Sequence, residues 1–150
     1  MDLQDLLDER DIIQVALRYC RALDTCDWAL LDTVFLTDST ARLGTSTMQE
    51  GRVEIVDRCR AALEPLELSQ HIVSNHEVEL TGDGATHRCY LHAQHVTKQA
   101  GDGDARKFIV AGRYEDQLAR TPDGWRITHR DLIPMWTDGD LSVTRQSAPR

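Results

Sequence analysis

Two residues in this chain have the types and positions to do proton chemistry together, Asp24 and His71. Asp24 follows Cys20 by four residues and Leu17 by seven, so it continues the apolar stripe of a helix. A carboxylate there costs free energy unless a cation or a hydrogen-bond donor meets it. It can also simply close the helix by an Asx-type turn into Thr25-Cys26, and the residues alone leave both readings open. His71 opens a long strand-like run. Alternation groups it with Val73, Asn75 and Glu77, whereas Ile72, Ser74, His76, Val78 and Leu80 make the more apolar side. Period two therefore does not point His71 inward.

The run that follows holds His87, His92 and His95. Alternation puts His87 and His95 on one face and His92 on the other, so the three do not converge on a cation from one strand. Ligands drawn from several strands stay open, but no metal is expected. Arg130 in Trp125-Arg126-Ile127-Thr128-His129-Arg130 reads by itself as an ordinary surface arginine. The four cysteines, Cys20, Cys26, Cys59 and Cys89, form no C-x-x-C pair, which argues against zinc ribbons and redox motifs. They read as reduced core thiols.

The elements that must position these residues follow from periodicity. Residues 3–23 form an amphipathic helix in which Leu3, Leu6, Leu7, Ile13, Ala16, Leu17 and Cys20 recur at three- and four-residue steps. Asp27 is placed to cap a short second helix carrying Trp28, Leu31 and Phe35, which Thr37-Asp38-Ser39 ends. Residues 40–50 alternate weakly and predict one or two short strands. Residues 51–64 are helical again, stopped by Pro65. Four strand-like runs then follow at 71–80, 86–99, 106–119 and 125–136, separated by Gly82-Asp83-Gly84, Gly101-Asp102-Gly103-Asp104 and Thr121-Pro122-Asp123-Gly124. Helices first and a meander of antiparallel strands after them predict one α+β domain over residues 1–150. Its core spans about 5–136 and its polar tail, 142–150, is expected to be flexible.

Composition narrows what this domain can do. The 150 residues carry 17 Lys+Arg against 25 Asp+Glu, a net charge of -8, which argues against a nucleic-acid partner. No stretch approaches the roughly 20 apolar residues that span a bilayer. The start, Met1-Asp2-Leu3-Gln4-Asp5, is acidic where a secretory signal is basic, so a cytoplasmic location is expected.

In order along the chain, Tyr19-Cys20-Arg21-Ala22-Leu23-Asp24, Asp27-Trp28, Phe35-Leu36-Thr37-Asp38, Gly51, His71-Ile72-Val73-Ser74-Asn75, Gly82-Asp83-Gly84-Ala85 and Asp123-Gly124-Trp125-Arg126-Ile127 resemble SnoaL-like proteins of the NTF2-like superfamily. The resemblance covers roughly residues 5–136. It implies an NTF2-like cone, a curved, mainly antiparallel sheet with about three helices in the N-terminal half enclosing a pocket. The sharper likeness is to the Asp/His branch, which includes scytalone dehydratase, lindane dehydrochlorinase and bile-acid 7α-dehydratase. In that branch an aspartate ending the first helix orients a histidine base on the first long strand, positions matched by Asp24 and His71. Tyr19 and Arg130 match further catalytic positions. On an ideal helix the five residues from Tyr19 to Asp24 are about 140° apart, so the two share a pocket only if the helix end bends.

The resemblance implies a lyase or isomerase without cofactor, taking a proton from a small hydrophobic cyclic molecule. Asp24, His71, Tyr19 and Arg130 would be catalytic, and His95, Trp28, Tyr90 and Trp136 would bind substrate. Other readings are a SnoaL-like cyclase, an epoxide hydrolase, a non-catalytic small-molecule-binding protein, or a structural role through dimerisation. A homodimer or homotrimer is expected under each.

Overall fold

A computed structural model of the chain describes residues 2–44, 47–99 and 101–144. The first helix, α1, runs Leu3–Asp24. Asp2 caps it: its carboxylate accepts the Asp5 N–H at 2.9 Å, and the Asp5 carboxylate accepts the Asp2 N–H at 2.8 Å. Ile12, Val15, Ala16, Tyr19, Cys20 and Leu23 are buried along one face. The helix is closed by Thr25, whose hydroxyl donates to the Arg21 carbonyl at 2.7 Å. The Asp24 carboxylate is thereby left free for another partner.

Cys26 turns the chain at φ 52°, and the Asp27 carboxylate accepts the Leu30 N–H at the start of a 3-10 helix, Trp28–Thr33. Periodicity predicted Phe35 in that helix, but it lies outside it. It opens strand β1, Phe35–Leu43, where Thr37, Asp38 and Ser39 also lie. Tertiary pairing overrides local pattern here: Phe35 pairs with Ile127 in a parallel ladder, and the Ser39 hydroxyl donates to the Ile127 carbonyl at 2.6 Å. A two-residue β2, Gln49–Glu50, pairs back on β1, and α2 follows at Arg52–Leu63.

The rest is the expected meander, with β3 and β6 clearly longer than periodicity outlined and β4 shifted by two residues: β3 Leu66–Thr81, β4 Gly84–Thr97, β5 Lys107–Thr121 and β6 Gly124–Gly139. The sheet order is β2-β1-β6-β5-β4-β3, antiparallel except for the β1/β6 pair, so β3 is an edge. Irregularities bend it. At Asn75 (φ 56°) the β3/β4 register slips between Ser74 and Glu77. At Gly112 a side chain would collide with the backbone of Ile133 and Pro134, where β5 and β6 change register. The helices lie over one face, and Leu141–Val143 form a short 3-10 turn with Val143 buried. That part of the expected flexible tail is folded; 145–150 lie outside the described residues. Among the described residues no helix is long and apolar enough to cross a membrane.

Candidate active site

The end of α1 meets the edge strand at Asp24. Its Oδ1 lies 2.6 Å from His71 Nδ1, its Oδ2 accepts the His71 backbone N–H at 3.0 Å, and the Ser69 hydroxyl reaches Oδ1 at 3.4 Å. The edge position makes the second contact available, because an edge strand has backbone N–H groups without a strand partner. The His71 side chain is 5% exposed and that of Asp24 25%. Since a carboxylate only accepts, His71 Nδ1 carries the hydrogen and Nε2 is left as the basic nitrogen.

Alternation failed to place His71 because of the bulge. Ser69, His71 and Val73 turn toward the helices before Asn75, and His76, Val78 and Leu80 after it; Ile72, on the side that looked more apolar, is 50% exposed.

His71 lines a cavity of about 280 Å³ with Tyr19, Leu23, Leu63, His95, Phe108 and Leu132 among its other walls. The bend invoked to bring Tyr19 and Asp24 together is not needed. Tyr19 reaches the cavity directly, while Asp24 stands behind His71. Burial pushes the Tyr19 hydroxyl well above its ordinary pKa, so it stays a neutral donor; its neighbour is Cys59 Sγ at 3.8 Å. The Cys59 thiol is itself pushed up to about 11 by burial.

His95 faces His71 edge-on, with ring centroids 5.7 Å apart. Its Nδ1 donates to the Phe108 carbonyl at 3.1 Å, leaving Nε2 as an acceptor. Burial, with His71 close by, lowers its pKa to about 4. At neutral pH it therefore accepts hydrogen bonds and cannot supply a proton.

Arg130 is fully buried but is not among the residues lining the cavity. Its Nε and Nη2 each donate to Asp116 at 2.7 Å, and its guanidinium lies 4.3 Å from the Tyr19 ring centre and 4.0 Å from that of Tyr114. It is a strut beneath the two tyrosines that form the wall. Burial alone would raise the Asp116 carboxyl, but the Arg130 charge and hydrogen bonds outweigh it and hold it low. Asp116 also accepts from His87 Nδ1 at 2.9 Å, and His87 Nε2 is 2.9 Å from His76 Nδ1.

Cys89 lies close to these two histidines, all three ligand atoms falling within 4.8 Å of one another. The imidazoles nevertheless share a proton in line. Their centroids are 5.2 Å apart, which is the nitrogen separation plus two ring radii, so both lone-pair directions lie along one axis and do not open around a cation.

The structure does not bring the other expected substrate contacts to the cavity. Tyr90 and Trp136 point from the opposite face of the sheet, 49% and 52% exposed, with Trp136 against His92. Trp28 packs under Arg60, and its indole N–H is buried without a partner among the described residues. A larger groove of about 580 Å³ on that opposite face is walled by Glu77, Glu79, Arg88 and Gln117, and the Asp24–His71 pair does not reach it.

Sequence reading missed Tyr114, Asp116 and Arg58. Asp116 was detectable in principle, since Tyr114, Asp116 and Leu118 alternate on the buried face of β5 and a carboxylate there demands a partner. Arg58 gives no such signal on a helix rich in charge.

The profile of the SnoaL-like domain matches residues 4–131. The uncharacterized protein Rv2910c of Mycobacterium tuberculosis is 28% identical over 132 residues, 87% of each chain. A provisionally named aromatic ring hydroxylase of Novosphingobium aromaticivorans is 29% identical over 93% of this chain and 98% of that one, with a TM-score of 0.82. A hexachlorocyclohexane dehydrochlorinase, LinA type 2, has the same fold at 14% identity, covering 99% of this chain and 98% of that one, with a TM-score of 0.78.

Proposed function

The chain belongs to the SnoaL-like domain family, with the α+β cone of the NTF2-like superfamily, and from that premise we propose that it is a cofactor-independent lyase or isomerase whose base is His71. One observation carries the reading. A histidine on the wall of a largely apolar cavity is held at Nδ1 by a carboxylate 2.6 Å away, with its basic nitrogen left unpaired by that contact.

In the proposed step, His71 Nε2 takes a proton from a carbon next to a carbonyl. Ionised Asp24 fixes the tautomer and stabilises the imidazolium, the orienting role of a triad aspartate. The Tyr19 hydroxyl donates a hydrogen bond to the oxygen that gains charge; the proton taken up by Nε2 then passes to the departing hydroxyl, which leaves as water, or to another carbon in an isomerisation. His95, neutral, accepts from a substrate hydroxyl. Arg130 acts at one remove, by holding Tyr19 and Tyr114 in place. The substrate is a small, mostly hydrophobic cyclic molecule, since the cavity walls are mainly apolar.

Epoxide opening is the weaker reading, because it favours carboxylates around a positioned water and, among the described residues, no Asp or Glu lines the cavity. For self-association, the outer face of the sheet offers Ile72, Tyr90, Met135 and Trp136, all exposed, as a surface for the expected homodimer or homotrimer.

The direct test incubates the protein with cyclic β-hydroxy ketones in D₂O and follows deuterium entry at the α-carbon and loss of water by NMR. Exchange that vanishes in a folded His71→Ala variant supports the base. Exchange equal to wild type in that variant rules out His71 as the base, and ligand binding with no exchange in any substrate leaves a binding protein instead.

A further inference from the structure

Among the described residues the cavity carries one permanently charged side chain on its walls, and it is positive. Arg58, on α2, lines it together with apolar residues, the two histidines, two tyrosines and two threonines; no described carboxylate or lysine lines it. This is unexpected in a chain of net charge -8, whose background field disfavours anions.

Arg58 is one of four described arginines without a carboxylate partner; of the others, Arg18 and Arg126 donate to backbone carbonyls, and neither they nor Arg21 line the cavity. Nine others reach a carboxylate within 4.0 Å: Arg10, Arg42, Arg52, Arg60 and Arg88, and likewise Arg106, Arg113, Arg120 and Arg130. Arg58 has no such partner among the described residues. The acids beside it on α2 are directed elsewhere: Asp57 lies 3.8 Å from Arg60, and Glu54 accepts the Glu50 backbone N–H at 2.8 Å. A half-buried guanidinium at an apolar cavity presents a planar fork of donors, which matches the two oxygens of a carboxylate.

We propose that the molecule taken by this cavity carries one carboxylate on an otherwise apolar skeleton, and that Arg58 receives it. This rests on the cavity being the binding site, as read above, and not on the chemistry of His71. Arg58 belongs to α2 and His71 to β3, so the two hold different parts of the ligand. The carboxylate is thus an anchor, and the carbon that meets the base lies elsewhere on the ring.

The experiment is calorimetric titration of the full chain with two matched pairs, 1-naphthoate against 1-naphthamide and cyclohexanecarboxylate against its amide. Each acid and its amide have nearly the same shape and differ in charge. A charge-assisted contact predicts that the acids bind about ten- to a hundredfold more tightly, and that 0.5 M salt shrinks the difference. Arg58→Gln, a conservative change on a helix, is expected to remove the preference, and Arg58→Lys to keep part of it. His71→Ala is expected to keep the whole preference, which separates Arg58 from any contribution of an imidazolium. Equal affinities in wild type, a preference that survives Arg58→Gln, or failure of both acids to bind at millimolar concentration would each overturn the proposal. If the preference holds while no substrate shows α-carbon exchange, the base chemistry fails and the anion site stands.

Discussion

Asp24 holds His71 at two points, taking the ring hydrogen on Oδ1 at 2.6 Å and the backbone N–H on Oδ2 at 3.0 Å. One carboxylate thus fixes both the imidazole tautomer and the place of the edge strand against the end of α1. Thr25 makes this possible by closing the helix in its stead. A side chain bonded at both ring and backbone loses little further freedom when a substrate arrives, which is the preorganisation that proton transfer rewards.

Replacement of each partner is expected to act differently. His71→Ala removes the base and should lower kcat by about 10²- to 10⁴-fold, with a melting temperature close to wild type. Asp24→Asn retains the size of the side chain but presents an amide, which favours the wrong tautomer; a loss of about 10³- to 10⁴-fold is expected. Circular dichroism separates these losses from unfolding. An unchanged rate in Asp24→Asn would reduce Asp24 to a tether for β3.

Much of this was legible in the residues, and the gaps have physical causes. The helix of α1, the meander and its turns follow from local periodicity and from glycine-rich turn sequences. The candidate pair came from a carboxylate on an apolar stripe and from resemblance to the Asp/His branch. Which way His71 points was not legible, because a bulge four residues later breaks the period on which alternation depends. Phe35 was assigned to a helix because its parallel partner, Ile127, lies far away in the chain. Arg130 looked like a surface arginine or a catalytic one, and only the fold reveals Asp116 beside it.

Tyr19→Phe separates a donor from a wall. The ring packs edge-on against Phe35 and Tyr114 and would be retained, while the hydroxyl, held among the described residues by a 3.8 Å contact to Cys59 Sγ, would be lost. The expected outcome is a fall in kcat of about 10²-fold with KM and thermal midpoint little changed, as for removal of one oxyanion donor.

Arg130 is expected to matter first for folding. Arg130→Gln or Asp116→Asn breaks a fully buried, doubly hydrogen-bonded pair and should cost about 3–5 kcal/mol in urea unfolding. Replacing both residues with apolar ones of similar size should recover much of that loss, because the desolvation of both charges disappears together. A stable Arg130→Gln protein that is inactive would instead give the guanidinium a direct part in catalysis.

His95 makes stability depend on pH. Its folded pKa is about 4 against an ordinary value of 6.5, so the unfolded chain binds the proton more readily. Stability from this group is fully present above about pH 6.5 and is lost as pH falls toward 4, on the order of 3 kcal/mol over that window. His76, also lowered by burial and by His87, adds in the same direction. His95→Asn should flatten the slope of unfolding free energy between pH 6.5 and 4. A slope equal to wild type would mean that the ring is solvated more than its 5% exposure indicates.

Asn75 links the backbone to the site. At φ 56° it occupies the left-handed region, where asparagine is tolerated, glycine is at ease and a β-branched residue is strained. Asn75 and His76 together stand where β4 offers only Cys89 between Arg88 and Tyr90, so the bulge is what lets His71 and His76 both turn inward. Asn75→Gly should leave stability within a few tenths of a kcal/mol and activity intact. Asn75→Val should cost about 1–2 kcal/mol and favour a regular strand. A regular strand cannot keep both histidines inside, so the variant should also lose the His71–Asp24 contact in part of the population. NMR of the imidazole nitrogens reads this directly, as a second set of His71 signals without the Nδ1 hydrogen bond. A single unshifted set in Asn75→Val would mean that α1, and not the bulge, holds His71 in place.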